Sequence, residues 1–196
     1  SGRRVFLIGS IGPTGDMIEP YGDLSVEEAR AAFAEQAQAL VAAGVDGLIC
    51  ETFTALEEVQ LALEAARALA GARPVIARIA GGAGGHTMMG VTPEAAVQAL
   101  ADAGAAAVGA NCSVGPDALT AVIRTMHNTC PTVRLWAKPN AGLPQLVGGR
   151  TVYSIDPAGM AAFVNSIAGL NVAVVGGCCG NTPDHLRAMR AALDKS

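Results

Sequence analysis

The sequence predicts an α/β fold built from repeated βα units with parallel strands. Three observations lead there. Short apolar runs alternate with longer helical stretches along the 196 residues. Helical stretches open on capping residues and lead through glycine into the next run. One passage also occurs twice. Leu40-Val41-Ala42-Ala43-Gly44-Val45-Asp46 and Leu100-Ala101-Asp102-Ala103-Gly104-Ala105-Ala106 both read as helix end, glycine, strand start.

The apolar runs are residues 4–8, 46–50, 74–80, 106–110, 133–137 and 172–175. Their length and β-branched bias suit strands buried on both faces. Ser25 stands three before Glu28, and Thr54 three before Glu57, the spacing of capping boxes. Thr92-Pro93, Asp156-Pro157 and Thr182-Pro183 each place a cap before a proline at the first helical position. This gives six βα units, either an open doubly wound sheet or six of the eight units of a TIM barrel, which takes about 250 residues. Gly9-Ser10-Ile11-Gly12-Pro13 after the first run lacks the dinucleotide-binding spacing, which disfavours a nucleotide-binding domain. No interdomain linker is evident, so residues 1–196 read as one domain. The glycine-rich residues 81–85 read as a βα connection, and residues 142–151 as a longer loop able to form a site rim.

Composition narrows the function. Thirteen basic and 17 acidic residues leave a net charge of −4, which favours neither nucleic acid nor an anionic membrane as partner. No run of about 18 apolar residues is free of charge and glycine, and residues 5–8 are too short for the apolar part of an export signal. The cysteines, Cys50, Cys112, Cys130, Cys178 and Cys179, are odd in number. A cytoplasmic chain using thiols for metal or catalysis fits better than a disulfide framework.

Three of these thiols follow strand-like runs. Cys112 comes after Val108-Gly109-Ala110-Asn111, and Cys178-Cys179 after Val174-Val175-Gly176-Gly177. Parallel α/β folds build their sites at the carboxyl ends of strands. Adjacent side chains on a regular strand point to opposite faces, so Cys178 and Cys179 reach one ion only if the backbone leaves strand geometry. Gly176, Gly177 and Gly180 permit that. Three thiolates suit zinc and leave a fourth position for substrate or water, the pattern of a catalytic site. The competing reading is three ordinary buried cysteines.

Two segments also carry a resemblance. Gly109-Ala110-Asn111-Cys112-Ser113-Val114-Gly115-Pro116 and Gly176-Gly177-Cys178-Cys179-Gly180-Asn181-Thr182-Pro183-Asp184-His185 resemble the signature segments of the homocysteine S-methyltransferase family. Ile8-Gly9-Ser10-Ile11-Gly12-Pro13-Thr14-Gly15, Asp46-Gly47-Leu48-Ile49-Cys50-Glu51-Thr52 and Lys138-Pro139-Asn140-Ala141-Gly142 resemble its third, fourth and seventh strand ends. The Pro-Thr-Gly and Pro-Asn-Ala-Gly forms look closest to the cobalamin-dependent methionine synthase branch. The resemblance covers nearly the whole chain and implies a TIM barrel whose first two βα units are absent here. A second polypeptide or self-association would then complete the barrel.

The resemblance implies zinc-dependent methyl transfer to the thiol of homocysteine, forming methionine. Cys112, Cys178 and Cys179 are then the metal ligands, and the homocysteine sulfur the fourth. Methylcobalamin is the implied donor, with betaine or a methylsulfonium compound as alternatives. Glu51 is expected to hold the substrate ammonium; its alternative is a carboxylate at a helix N-terminus. Asn140 is expected to orient substrate or fill the open metal position; its alternative is a turn residue. Gly9 and Ser10, with Gly12, form a strand-end loop near the substrate carboxylate. Asn111, Gly176 and Gly177 support the ligands from behind. His185 reads as capping or packing, His86 and His127 as loop and helix-surface residues, and Cys50 and Trp136 as packing. Cys130 has no assigned chemistry. Two other functions remain: a non-catalytic or partner-requiring zinc-binding barrel fragment, and methyl transfer to a different thiol or selenol.

Overall fold

The computed structural model describes residues 2, 4–82 and 84–194. Of the expected 1–196 domain, residues 1, 3, 83, 195 and 196 lie outside the described residues, so residue 83 of the 81–85 connection does too. The order is β1 (Ile8–Ile11), α1 (Val26–Ala42), β2 (Gly47–Phe53), α2 (Leu56–Ala70), β3 (Val75–Ile79), α3 (Pro93–Asp102) and β4 (Ala107–Asn111). Then come α4 (Pro116–Thr129), β5 (Leu135–Lys138), β6 (Gln145–Val147), β7 (Arg150–Val152), α5 (Pro157–Ser166), β8 (Val172–Val175) and α6 (Pro183–Leu193).

Six strands form one parallel sheet in the order β1-β2-β3-β4-β5-β8. Among the described residues the sheet does not close: β1 and β8 each pair on one side only. This is the expected partial TIM-type barrel with six βα units. Alternation divides each strand between two environments. Leu48, Cys50, Val75, Ala77, Val108, Ala110, Leu135 and Ala137 join the main core with helix residues such as Phe33, Ala62, Leu63, Leu100 and Ile123. Ile49, Ile76 and Ala107 form a second, strand-only cluster with Ile8 and Trp136, on the inner face. Glu51, Arg78, Gly109, Asn111 and Lys138 share the parity of that inner face.

The first strand lies later than the run at 4–8 predicts. Residues 4–7 form no strand, and Val5, Phe6 and Leu7 are exposed. The neighbour sets this limit, because β2 begins at Gly47 and pairs first with Ile8. Before that point Leu7 bonds to Asp46, through its N–H to the carboxylate (2.8 Å) and its carbonyl from the Asp46 N–H (2.7 Å). Gly9 and Ser10 therefore lie inside β1 and not in a strand-end loop.

The capping boxes divide. Ser25 forms one with Glu28, and Thr92 and Asp156 cap α3 and α5. The Thr54–Glu57 box does not form. β2 continues through a register shift to Phe53, so α2 starts at Leu56 with Ala55 as an N-cap that makes no side-chain bond. Glu57 and Glu58 still face the positive end of that helix. The expected loop at 142–151 contains the exposed antiparallel hairpin β6–β7.

At Gly109 the β4 backbone lies close against β5. A Cβ there would lie 1.8 Å from the Trp136 carbonyl oxygen, and backbone cannot yield as a side-chain tip can. Gly109→Ala is expected to cost roughly 3 kcal/mol, read as a lower denaturant midpoint. The Ser25 cap gives a pH-dependent expectation. Its hydroxyl and N–H hold the Glu28 carboxyl below its ordinary pKa. A depressed carboxyl stabilises above its unfolded pKa and loses that contribution as pH falls through its folded pKa. The midpoint difference between wild type and Ser25→Ala should therefore be larger at pH 7 than in acid.

Candidate metal centre

Cys112 leaves the end of β4, and Cys178-Cys179 follow β8 by two residues. The three sulfurs lie within 4.8 Å of one another, with Cys112 Sγ 3.6 Å from Cys179 Sγ. Sulfurs on a tetrahedral zinc are separated by about 3.8 Å, so small side-chain adjustments bring the set into coordination geometry. Cys112 and Cys178 are half-buried and Cys179 is exposed, which leaves an open side.

The exit of β5 gathers these thiols. The Lys138 carbonyl accepts from the Cys112 N–H (3.2 Å), and the Pro139 carbonyl from the Cys178 N–H (2.9 Å). The Asn140 side-chain oxygen accepts from the Cys179 N–H (3.1 Å), and the Ala141 N–H donates to the Cys179 carbonyl (2.9 Å). Asn140 also donates its N–H to the Val114 carbonyl (3.0 Å). Its side-chain oxygen thus serves the Cys179 backbone here. Asn181, which sequence reasoning missed, donates to the Pro139 and Cys178 carbonyls (3.1 and 3.3 Å). Gly177 makes room for it: a Cβ there would lie 2.3 Å from Asn181 Cγ. Gly176 and Gly177 keep ordinary φ, and Gly180 alone of the three has a positive one, 78°. Gly176 lies against the Lys138 stem.

Cys112 and Ser113 both take left-handed φ, 59° and 60°, and the Val114 N–H donates to the Cys112 carbonyl (2.7 Å) in a tight three-residue turn. Across the barrel mouth Thr52 is also left-handed, at 72°, within the β2 irregularity. Asn111, 1% exposed, joins the two. Its oxygen accepts from the Thr52 N–H (3.2 Å) and its amide donates to the Thr52 hydroxyl (2.9 Å).

Below the thiols lies a charged layer. Glu51 sits in β2, so it is not a helix-terminal carboxylate. It accepts from the Ser10 hydroxyl (2.7 Å), forms a short ion pair with Arg78, and stands 3.9 Å from Lys138 Nζ. Gly9 is buried in β1 against Leu40. Arg78 is 1% exposed and lies over the Trp136 ring, 5.2 Å from its centre; its Nε and Nη1 find no hydrogen-bond partner among the described residues. Burial lowers the Arg78 pKa to about 10, partly opposed by Cys178. Burial also lowers that of Lys138, assisted by Arg78 and opposed by Cys178, Cys112 and Cys179. Arg78 and Lys138 were not anticipated as site residues. The signal was a charge at an inward position of an apolar run, and that parity needed the strand register.

The remaining residues fall outside the centre. Cys50 is buried on the helix-facing side, and burial pushes its thiol up to about 12. Cys130 donates to the Gln98 side chain (3.4 Å). His185 is buried and caps α6: Nδ1 accepts from the Thr182 N–H (3.1 Å), so Nε2 donates to the Ile155 carbonyl (2.9 Å). His86 lies in a loop and His127 on α4. No described helix is long and apolar enough to cross a membrane.

Fold and site together define a partial TIM-type α/β domain with a three-thiol centre at its strand ends. The model of the homocysteine S-methyltransferase family matches residues 1–193, and the chain belongs to that family. It is 31% identical to the methionine synthases of Mycobacterium leprae and Mycobacterium tuberculosis, over 97% of this chain and 16% of each relative. The chain thus spans about one sixth of the length of the curated relatives it matches. Among solved structures, the metallated form of the homocysteine methyltransferase MmuM from Escherichia coli superposes with a TM-score of 0.74. The identity is 24%, over 95% of this chain and 61% of that one. YagE from Escherichia coli, of the dihydrodipicolinic acid synthase family, shares the fold at a TM-score of 0.56 and 18% identity, over 98% and 61%.

Asn140→Ala removes the acceptor for the Cys179 N–H. An expected loss of about 1–3 kcal/mol should appear in denaturant unfolding, with the m-value unchanged.

Proposed function

We propose that this chain binds zinc through Cys112, Cys178 and Cys179 and serves methyl transfer to the thiol of homocysteine, forming methionine. The observation that carries this reading is the convergence of three thiols from two strand ends on one open-sided position. The donor set fits zinc in ligand type, number and spacing. Zinc, when bound, favours the thiolate form of an acceptor sulfur at neutral pH. In the reaction the acceptor thiol loses its proton and its sulfur gains the methyl group. The donor keeps the electron pair of the broken bond.

The chain's own residues prepare that acceptor. Glu51 is assigned to the substrate ammonium, with Ser10 fixing the carboxylate by its hydroxyl. Gly9, the residue before Ser10, lets β1 sit close against Leu40 of α1. Asn140 orients Cys179 through its N–H and borders the acceptor site. Asn111, Gly176 and Gly177 set the backbone around the ligands. Methylcobalamin is the assigned donor, arriving on another module or free. The cytoplasm suits a site whose thiols must stay reduced.

A second reading rests on a specific observation. β1 and β8 lack a second strand neighbour among the described residues, and Val174 on β8 is 38% exposed. Open edges of this kind invite pairing. Further βα units, from additional polypeptide or by self-association, would cover them, and the isolated chain would then bind metal without turning over.

Elemental analysis should give about one zinc per chain, held more firmly with homocysteine present. Cys178→Ala should lose the metal; full zinc occupancy in that variant would overturn the ligand assignment. Methionine formed from homocysteine and methylcobalamin, detected by mass spectrometry, supports the enzymatic reading. Zinc retention without methionine supports the partner-requiring one. Turnover of another thiol or selenol in preference to homocysteine would reassign the acceptor.

A further inference from the structure

Methyl transfer at a three-thiol centre carries a selectivity problem. With Cys112, Cys178 and Cys179 on a metal beside an acceptor thiolate, four sulfurs compete for one methyl donor, and every thiolate is a nucleophile. A methylated ligand becomes a neutral thioether and no longer serves zinc as a cysteinate does. Cys112 and Cys178 are half-buried, which shields them. Cys179 is exposed and is the ligand most open to an arriving donor.

The β6–β7 hairpin brings a side chain to that sulfur. Gly148 and Gly149 take positive φ, 58° and 76°, in a two-residue turn that sends β7 back along β6. Half-buried Tyr153 follows β7 directly. Its ring is seated on Gly180, the residue after Cys179: a Cβ there would lie 2.2 Å from Tyr153 Cγ. Two residues on, the Ile155 N–H donates to the Ala141 carbonyl (3.0 Å), and the Ile155 carbonyl accepts from His185 Nε2 (2.9 Å). The Ala141 N–H in turn donates to the Cys179 carbonyl (2.9 Å). Tyr153 and Cys179 thus stand on one frame, and the phenol is the hydrogen-bond donor at hand for the Cys179 sulfur.

We propose that Tyr153 protects Cys179 from methylation and so directs the methyl group to the acceptor sulfur. The proposal rests on the reading of the three thiols as metal ligands for methyl transfer. A hydroxyl donating to a thiolate makes a charge-assisted bond that holds the sulfur lone pair and lowers its nucleophilicity. The ring on Gly180 also covers one side of the Cys179 segment. In the side reaction that Tyr153 suppresses, a Cys179 lone pair forms the new bond to the methyl carbon. The donor departs with the electron pair of the broken bond. Tyr153 neither gains nor loses a proton in either reaction, so it is a positioning residue.

The test treats the zinc-loaded full chain with methyl iodide in the absence of acceptor. Mass spectrometry maps methylation at each cysteine, and a chromogenic chelator follows zinc release. Tyr153→Phe, which keeps the ring and loses the hydroxyl, should speed Cys179 methylation roughly 5- to 10-fold. Cys112 and Cys178 should stay within about twofold of wild type, and zinc should leave as Cys179 reacts. Tyr153→Leu, which loses the ring as well, should be faster still at Cys179. With cobalt in place of zinc, the thiolate-to-cobalt absorption of Tyr153→Phe should move to longer wavelength, because the freed lone pair lies higher in energy. Unchanged Cys179 rates, equal acceleration at all three cysteines, or an unmoved cobalt band would overturn the proposal. Wild-type chain that takes up neither zinc nor cobalt would overturn the metal reading itself. Metal-loaded wild type whose Cys179 reacts no more slowly than that of Tyr153→Phe would overturn only the role of Tyr153.

Discussion

The centre depends on the way the chain leaves β5. Four successive residues, Lys138 to Ala141, spend their backbone or side-chain groups on the peptides of Cys112, Cys178 and Cys179. The two cysteine segments are 66 residues apart in sequence and lie on strands that flank β5. Neither touches the other through its sheet pairing, so β5 is what gives them a common frame. A thiol is a poor hydrogen-bonding group, and side-chain contacts among sulfurs position nothing firmly. Hydrogen bonds to their peptides, one to four residues beyond the last sheet pairs, do position them. Asn181, lodged where Gly177 has no Cβ, ties the same bracket from the other side.

That bracket explains where the backbone is strained. Thr52, Cys112 and Ser113 adopt left-handed conformations that non-glycine residues seldom take, and all three lie at the mouth of the barrel. Such conformations persist where surrounding bonds over-determine them. Asn111 supplies two of those bonds to Thr52, and Lys138 supplies one to Cys112. The turn at Ser113 redirects the chain after β4 so that the thiol of Cys112 faces the pair from β8. The β2 irregularity has a parallel consequence: the strand runs on to Phe53, and the next helix takes Ala55 in place of Thr54 as its N-cap.

The sequence made the strand ends legible because buried parallel strands are nearly continuous apolar runs. It placed β2, β3, β4, β5 and β8 closely, since each is flanked by helix on one side and loop on the other. β1 misled because Val5, Phe6 and Leu7 are apolar without being buried; hydrophobicity marks a strand only where a neighbour exists to pair with. Thr54 misled because a bulge is a property of two strands together. Asp156, Thr92 and Ser25 were readable because a cap is local. Cys112, Cys178 and Cys179 could be grouped from chemistry and motif, but Arg78 and Lys138 could not. Both sit in stretches whose inward parity emerges only from register: Arg78 beside Gly109, and Asn111 beside Lys138.

Register also shows why charge is tolerated in this lumen. Ile49, Ile76 and Ala107 form an apolar floor with Ile8 and Trp136. Above it comes the Glu51–Arg78 pair, with Arg78 over Trp136, and then Lys138 nearer the thiols. A buried guanidinium that has, among the described residues, one ion-pair partner and two unpartnered nitrogens is costly in isolation. Its cost falls when the layer is considered whole. With a divalent ion, the charges of three cysteinates, Glu51, Arg78 and Lys138 cancel. On the proposed reading an acceptor thiolate would then add one negative charge. The cations below the sulfurs would therefore offset thiolates that otherwise repel one another in a partly dehydrated site. Replacing either cation by an apolar residue would leave that excess uncompensated. On this argument Arg78 belongs to the centre although it lies too deep to touch a ligand: it holds Glu51 and balances the thiolates from beneath.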